Sequence, residues 1–437
     1  MPQKTLSRTI NLPSAAFLII GYVVGATIFI LPGTLAAVAG PAVYIAYLLA
    51  AVPAIFACFV MAVVGSAIPA SGSLYLLIRD ALSPMLGFLY IWLMVAMAAL
   101  VTPLLAMGFA DYLSHFYAGL DSKIVTISVI VLIIAINYVG MKVASGLQNL
   151  MVVGFILALL IFAFGGLPHV DPALMKPLFP LGWSPIVVAA TTAYFSYAGI
   201  FIIAEVAGEI KTPGRTIPLA IFLSFTVILL LYTLVPLVLS GILNWESIGT
   251  VKMAVVTAAQ RFLPAWLVTF IAVGALLAAA TSVNGIIMGL SRDFYKGAKS
   301  GLFPRYFAAI HPLFNTPGRA VLVIGALSLA GAFAGGSIVQ YAQIAVMELM
   351  IIQIMTGIAL LKLPGKMPEI YAASTFKLGK IALRFVCICY IVFSAIFLLV
   401  LGMEQPGAVV YGLIFIAIGC SWYFIVARRP HSPKAYD

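Results

Sequence analysis

Charge is what this sequence has least of. Of 437 residues, 8% are Asp, Glu, Lys or Arg, where a soluble domain carries about 25%. Hydrophobic residues make up 64%, more apolar surface than a water-soluble fold can enclose. Histidine is nearly absent: His115, His169, His311 and His431 are scattered along the chain. The four cysteines, Cys58, Cys387, Cys389 and Cys420, all fall inside apolar runs, with no spacing that reads as a disulfide framework or a metal site. No cluster of His, Asp and Glu, no nucleophile–base arrangement and no nucleotide-binding loop occurs. The sequence therefore predicts neither an enzyme nor a metal or cofactor protein. The first apolar run is too long for a cleavable signal peptide and lacks a small-residue cleavage site.

What is present is a series of long apolar runs. Twelve are long enough to span a bilayer, at about 20 residues each: 12–38, 42–67, 83–116, 124–141, 147–167, 184–207, 217–243, 264–296, 319–335, 338–361, 380–402 and 407–427. The third and eighth exceed the bilayer thickness and are expected to tilt or project. With the N terminus inside, 19 of the 23 Lys and Arg fall on inner segments and only Lys123, Lys176, Lys252 and Arg261 on outer ones. That asymmetry places both termini in the cytoplasm and assigns the +11 net charge to the bilayer rather than to nucleic acid. The expectation is an all-α polytopic protein of the cell membrane.

Two runs are interrupted. In the first, Ile19 to Gly33, the centre is Gly25-Ala26-Thr27, and Pro32-Gly33 follow. Each interior Gly costs about 1 kcal/mol relative to Ala in a helix. Backbone freed from a helix at membrane depth is tolerated only where protein buries it or it lines a cavity. The plain alternative is close helix packing through small residues. In the sixth run, Tyr197-Ala198-Gly199-Ile200-Phe201-Ile202-Ile203 repeats Ala, Ile, Phe and Ile in register with Gly25 to Leu31. Paired Gly-interrupted spans in two halves of a membrane chain point to a transporter site at the midplane.

Four motifs in this order carry a resemblance over roughly residues 10 to 360: the Gly-rich opening Gly21 to Gly33; Pro69-Ala70-Ser71-Gly72-Ser73-Leu74-Tyr75; Phe195 to Gly199 followed by Gly208 to Pro218; and Ser291-Arg292-Asp293 with Gly301-Leu302-Phe303-Pro304 and Asn315-Thr316-Pro317. The chain resembles transporters of the amino acid–polyamine–organocation (APC) superfamily. The resemblance implies a LeuT-type fold: two inverted five-helix repeats, at about 12–167 and 184–361, with helices 1 and 6 broken. Residues 1–362 would then form a ten-helix transport core, and 363–437 a polar linker, two extra helices and a cytoplasmic tail. It also implies short helices in the outer loop after span 7, where Val251 to Ala259 fits.

The second half of a broken span 1 presents free N–H groups and a positive dipole end, which attract a carboxylate. Freed carbonyls of span 6 accept hydrogen bonds from an ammonium group. A ligand with both groups one carbon apart is an α-amino acid. The resemblance carries the carboxylate to Ala26, Thr27 and Ile28, and the ammonium to Phe195, Tyr197 and Ala198, with Gly25 and Gly199 lining the same substrate site. It puts Phe195 at a gating aromatic and Ile286 at the side-chain pocket. Neither break motif holds an acid, so a neutral amino acid is expected; a cationic amino acid or polyamine would need a buried anion. Plain helix packing is the alternative for Ile286 and Phe195.

For a coupling ion the sequence offers two routes. Thr281 and Ser282 lie where sodium-driven relatives bind sodium, although such hydroxyls commonly just bond back to their own helix. Glu205 offers a carboxyl one turn past the span-6 break, where the family's usual acid position holds Phe201. Some proton-coupled relatives use a lysine in span 5; Gly146 to Phe164 has none, and Ile156 stands near that place. Asp111 and Glu348 read as structural acids. Glu209, Lys211, Arg215, Arg292 and Asp293 read either as a solvated rim or as a cytoplasmic gate. An amino acid-sensing receptor without net transport is the alternative from another class. As partners the reading gives a small-molecule amino acid and lipid, no nucleic acid, and a monomer or homodimer with or without an accessory subunit.

Overall fold

A computed structural model describes residues 8, 10–70, 72–114, 116–117, 119–139, 144–251, 253–314 and 316–427. Ser71 and Asn315 of the motifs, His115, His431, and the cationic Lys4, Lys142, Lys252, Arg428, Arg429 and Lys434 lie outside the described residues.

The helices in chain order are α1 Leu12–Val24, α2 Thr27–Ala39, α3 Val43–Ala67, α4 Ser73–Ala81, α5 Pro84–Leu113, α6 Ser122–Val139, α7 Ala144–Gly166, α8 Ser184–Ala193, α9 Ile202–Glu205, α10 Pro213–Ile242, α11 Trp245–Ile248, α12 Ala254–Ala259, α13 Ala265–Lys299, α14 Gly318–Ala334, α15 Ile338–Lys366, α16 Pro368–Ala373, α17 Lys380–Glu404 and α18 Pro406–Trp422. Among the described residues there is no strand, only an isolated backbone bridge between Ile10 and Ile210. Among the described residues, ten helical stretches are long and apolar enough to cross a membrane. The first, Leu12–Ala67, holds two of the expected spans, and Gly318–Ala334 is a shorter apolar helix. Each of the twelve expected spans thus has its helical segment. The chain is an all-helical, multi-pass membrane protein.

Local chemistry sets the ends. Asn11 caps α1 by accepting the Ser14 N–H at 3.0 Å, and Ser83 caps α5 by accepting the Leu86 N–H at 3.2 Å, with Pro84 at the first helical position. Ser337 and Gln340 form a reciprocal capping box on α15, which satisfies two of the donors a helix start leaves unpaired. Span 7 starts four residues before its sequence boundary, because Thr212 takes a left-handed conformation and Pro213 begins the helix. The 363–379 linker, expected to be a plain polar connection, is partly helical. The helix of span 10 runs on to Lys366, and α16 follows. Its Lys-bearing end gains from the helix dipole.

Enclosure grades across the molecule. In span 6, Ser184–Glu205, 78% of the apolar window is buried, but in Pro406–Ile425 only 6% is. Span 6 is therefore the centre, and α18 lies at the margin with most of its side chains facing outward. It is held to α5 by Trp92, whose ring stacks on Phe415 at 5.0 Å and whose indole N–H donates to the Phe415 carbonyl at 3.0 Å. Around span 6 pack α1, α2, α3 and α15. The outer-loop helices α11 and α12 lie against α2, so the loop expected to carry surface helices does so and closes over the second half of span 1.

The α14–α5 crossing tests how tightly these helices pack. A Cβ on Gly331 would stand 1.9 Å from the Ala99 carbonyl oxygen, a backbone atom that cannot move aside. Gly331→Ala is expected to lower stability by about 1–3 kcal/mol, the usual cost of overpacking. Gly412→Ala in α18, where no neighbour lies within 4 Å, is the matched control. Thermal unfolding of the two variants in detergent should show a lower midpoint for the first only.

Candidate functional site

The α1–α2 break is where the sequence places it. The helix ends at Val24, and Gly25 turns the chain with φ 28° and ψ −145°, a conformation that side chains strain to adopt. Its missing Cβ also matters, because one built there would stand 2.2 Å from the Ser282 hydroxyl. Ala26 donates its N–H to that hydroxyl at 3.3 Å. Thr27 opens α2, with Ile28 next and fully buried. The Phe29 N–H returns to the Ala26 carbonyl at 3.1 Å, while the N–H groups of Thr27 and Ile28, first in the helix, have no intrahelical acceptor, so the start of α2 directs donors and a positive dipole end into the protein interior.

In the second Gly-interrupted span the regular α-helical winding is interrupted by a tighter one. Tyr194–Phe201 is an eight-residue 3-10 helix joining α8 to the short α9. Changing from i−4 to i−3 bonding alters which carbonyls are used. The Ser196 carbonyl accepts a side-chain hydrogen bond, from the Tyr232 hydroxyl at 3.0 Å. The Tyr232 hydroxyl also donates to the Val23 carbonyl and lies 3.3 Å from the Thr27 hydroxyl. One phenol on α10 thus joins both breaks. Sequence reasoning missed it; the available signal was a polar group near the middle of span 7, well away from either interface.

The two broken spans touch through Gly199. A Cβ there would stand 2.6 Å from the Tyr22 carbonyl oxygen and 2.7 Å from the Val23 nitrogen, so main chain meets main chain. Phe195 and Tyr197 are buried beside this contact, and Ala198 is partly exposed. Tyr197 donates its hydroxyl to the Tyr47 carbonyl at 3.2 Å and sets its ring edge-on to Tyr232, centroids 5.0 Å apart. Ile286 is partly buried against the core. Its neighbour Gly285 accepts the Tyr22 hydroxyl through its carbonyl, fixing α13 against α1. The Tyr47 and Ser196 hydroxyls are buried here without a hydrogen bond of acceptable geometry.

The coupling candidates separate. Ser282 reaches the first break, as described. Thr281 donates back to the Leu277 and Ala278 carbonyls, both at 2.9 Å, the ordinary behaviour of a hydroxyl in a membrane helix. Glu205 lies at the end of α9 and accepts the Tyr90 hydroxyl of α5 at 2.8 Å. Its carbonyl takes the Gly72 N–H at 3.3 Å, and the Ala204 carbonyl takes the Ser73 hydroxyl at 2.8 Å. Beyond it Glu209 faces Arg292 at 3.8 Å, and backbone bonds from Ile10 to Glu209 and from Lys211 to Ile10 lock the N-terminal segment alongside. An ion pair this exposed contributes about 0–1 kcal/mol. At the same end, then, span 6 is tied to α1, α4, α5 and α13. Glu348 of α15 is partly buried, and its Oε2 is enclosed without a hydrogen-bond partner among the described residues. Of Asp111 the described bond is to its main chain, which accepts the Ser114 hydroxyl.

Residues 10–426 match the family described as "Amino acid permease". The chain belongs to that family; it is a permease, not an enzyme, and its general function is amino acid transport. Among its relatives are two proteins of Bacillus subtilis (strain 168). The methylthioribose transporter is 28% identical, with 98% of this chain and 95% of that protein covered. The branched-chain amino acid permease BcaP is 26% identical, covering 98% and 94%. Cationic amino acid transporter 4 of Mus musculus is 27% identical over 74% of this chain and 55% of its own length.

Gly199→Val and Gly25→Val are each expected to abolish uptake while the protein still inserts, because a branched side chain would separate the two breaks or strain the turn. Tyr232→Phe removes the shared donor and leaves two buried carbonyls short, at a cost of about 1–3 kcal/mol. Uptake of labelled amino acid, read beside the yield of folded protein by size exclusion, checks all three. Normal uptake by both Gly variants would mean that neither lines the site.

Proposed function

We propose that the protein is a secondary transporter that moves a neutral L-amino acid by alternating access, binding the substrate's carboxylate at the start of α2 and its ammonium at carbonyls of the two breaks. One observation carries this reading: a single hydroxyl, from Tyr232, occupies both Val23 and Ser196 carbonyls. Those acceptors converge on one point from two spans, as an ammonium group requires. The donors opening α2 face the same region from the other side. Residues of the breaks and of the neighbouring α13 segment, Ile28, Phe195, Ala198 and Ile286, are apolar, which favours an uncharged side chain; the relative named as a branched-chain amino acid permease agrees with that class.

The reading places the protein in the cell membrane with both termini cytoplasmic, since the basic end of the helices gathers Arg292, Lys296 and Lys299 with Lys211 and Arg215. Access then alternates between an end closed by α11 and α12 over α2 and a basic end closed by the ties of span 6.

A panel of labelled amino acids in proteoliposomes tests the proposal. Saturable uptake of a neutral L-amino acid is expected, with competition lost when either the carboxyl or the amine is blocked. Equal competition by amines lacking a carboxyl would point to a polyamine carrier and overturn it. Binding without uptake would favour a sensor.

A further inference from the structure

Two buried glutamines of α15 reach from span 10 into span 6, and each also reaches span 11. Gln353 is fully enclosed. Its side-chain amide lies 2.7 Å from the Tyr194 hydroxyl of span 6 and 2.8 Å from the Ser394 hydroxyl of α17. Gln343 repeats the pattern. Its Nε2 donates to the Thr192 hydroxyl at 3.4 Å, and its Oε1 accepts from Gln405, at the end of α17, at 3.0 Å. The Tyr194 ring is set edge-on to Phe397 of α17, with centroids 5.7 Å apart. Amides buried between apolar helices are costly unless they are bonded, so two such bridges between the same three spans call for a reason.

The Gln353 bridge holds whichever way its amide points. With Nε2 toward Tyr194, the Ser394 hydroxyl donates to Oε1. With the amide turned, the Tyr194 hydroxyl donates to Oε1 and Nε2 donates to Ser394. Ser394 then donates to the Tyr390 carbonyl, 2.7 Å away, and every hydroxyl hydrogen is used. What matters is where Tyr194 stands. It is the first residue of the 3-10 stretch Tyr194–Phe201. A 3-10 helix turns about 120° per residue and an α-helix about 100°. Each residue that reverts to α winding therefore turns all that follow by about 20°. At Gly199, five residues on, full reversion amounts to about 100°, enough to carry that residue out of its main-chain contact with Tyr22 and Val23. At Ser196 it is about 40°. Side chains three apart lie over one another only in the tighter winding. Tyr194 and Tyr197 are such a pair, and both hydroxyls are held, one by Gln353 and the other by the Tyr47 carbonyl.

We propose that Gln353, held in place by Ser394 of span 11, is a positioning residue of the substrate site: through Tyr194 it fixes where the tight winding of span 6 begins, and so where the Ser196 carbonyl stands. The inference rests on the transport reading above. Packing at Gly199 favours the winding, and the bond to Tyr194 sets its phase. Without that bond α8 can continue past Ala193, and the Ser196 carbonyl turns away from the point it shares with the Val23 carbonyl. Gln343 acts earlier in the chain, on Thr192 inside α8, so it supports span 6 without setting that phase. Span 11 thereby acts on substrate affinity through a side chain of span 10.

The test uses the full chain. It measures binding of a labelled neutral amino acid in detergent, KM and maximal rate of uptake in liposomes, and the thermal unfolding midpoint. Gln353→Leu is expected to raise the dissociation constant and KM by about tenfold or more, the weight of one hydrogen bond to a charged group, with the maximal rate little changed. Its midpoint should fall, because the Tyr194 hydroxyl is left buried and unpaired. Gln353→Leu combined with Tyr194→Phe leaves no such group, so the midpoint should recover while the affinity stays low. A purely structural role would restore both together, and that result overturns the proposal. Gln343→Leu should lower the midpoint and leave affinity unchanged; a loss of affinity equal to that of Gln353→Leu overturns the assignment to Gln353. A loss confined to the maximal rate overturns it as well. If Gln353→Leu does not fold, the double variant decides alone. Wild-type affinity in the double variant sinks this inference and leaves the transport reading standing; if the wild type binds no amino acid at all, both fall.

Discussion

A peptide group taken out of a helix inside a membrane must find another partner, and the organisation of this protein follows from that constraint. The chain breaks span 1 at Gly25 and tightens span 6 into a 3-10 helix. It then brings the loosened backbones so close at Gly199 that no side chain fits between them. An unpaired buried polar group costs about 1–3 kcal/mol, so several such groups would make the fold untenable if they stayed empty. The Tyr232 hydroxyl and the Ser282 hydroxyl answer part of that cost, the first for carbonyls and the second for the Ala26 N–H. Both are single side chains from neighbouring spans. A site held in this way can exchange its internal partners for those of a ligand at small net cost, which is what reversible binding needs.

The same logic explains which parts of the structure were legible in the sequence. The break at Gly25 announces itself, because Gly-Ala-Thr followed by Pro-Gly is a poor way to write a spanning helix. Its match at Ala198-Gly199 was visible as an echo. The geometry of the second break was not visible: 3-10 and α-helical windings use the same residues, and the choice between them is made by packing against Tyr22 and Val23. Tyr232 was invisible for a related reason, since a tyrosine in an apolar run reads equally well as core or as an interface anchor. Only the approach of three separate spans gives its hydroxyl a function. The number and order of spans were legible, because composition and length decide them. The helical continuation past residue 361 was not, since polarity marks where the membrane ends and not where helical bonding ends.

Acids show the limit most clearly. The sequence separates Glu205 from Asp293 by 88 positions (293 − 205) and presents one as a candidate for the substrate cavity and the other as part of a charged rim. Folding gives Glu205 the Tyr90 hydroxyl from a third span and brings the Lys296 ammonium to the same place beside Gly72, while Asp293 is buried in α13. The distinction matters physically. A lone carboxyl beside a substrate site feels the ligand directly and titrates with it. A carboxyl held by a phenol of another span at the closed end feels the ligand only through movement of span 6.

Such movement has a mechanical basis. The α9 segment is a single turn, bounded on one side by the 3-10 stretch and on the other by a second short 3-10 turn, so few helical hydrogen bonds resist its rotation. What holds it is external: Gly72 and Ser73 from the α3–α4 turn, Tyr90 from α5, Arg292 from α13 and the Ile10 bridge. Most of these are single hydrogen bonds of about 0.5–1.5 kcal/mol net each, which can be broken one at a time. The Ser196 carbonyl, proposed above to meet the substrate's ammonium, belongs to the same span. A ligand that pulls on Ser196 therefore acts on the lever whose far end carries Glu205, and the two sites are connected by eight residues of tightly wound backbone rather than by a chain of side-chain contacts.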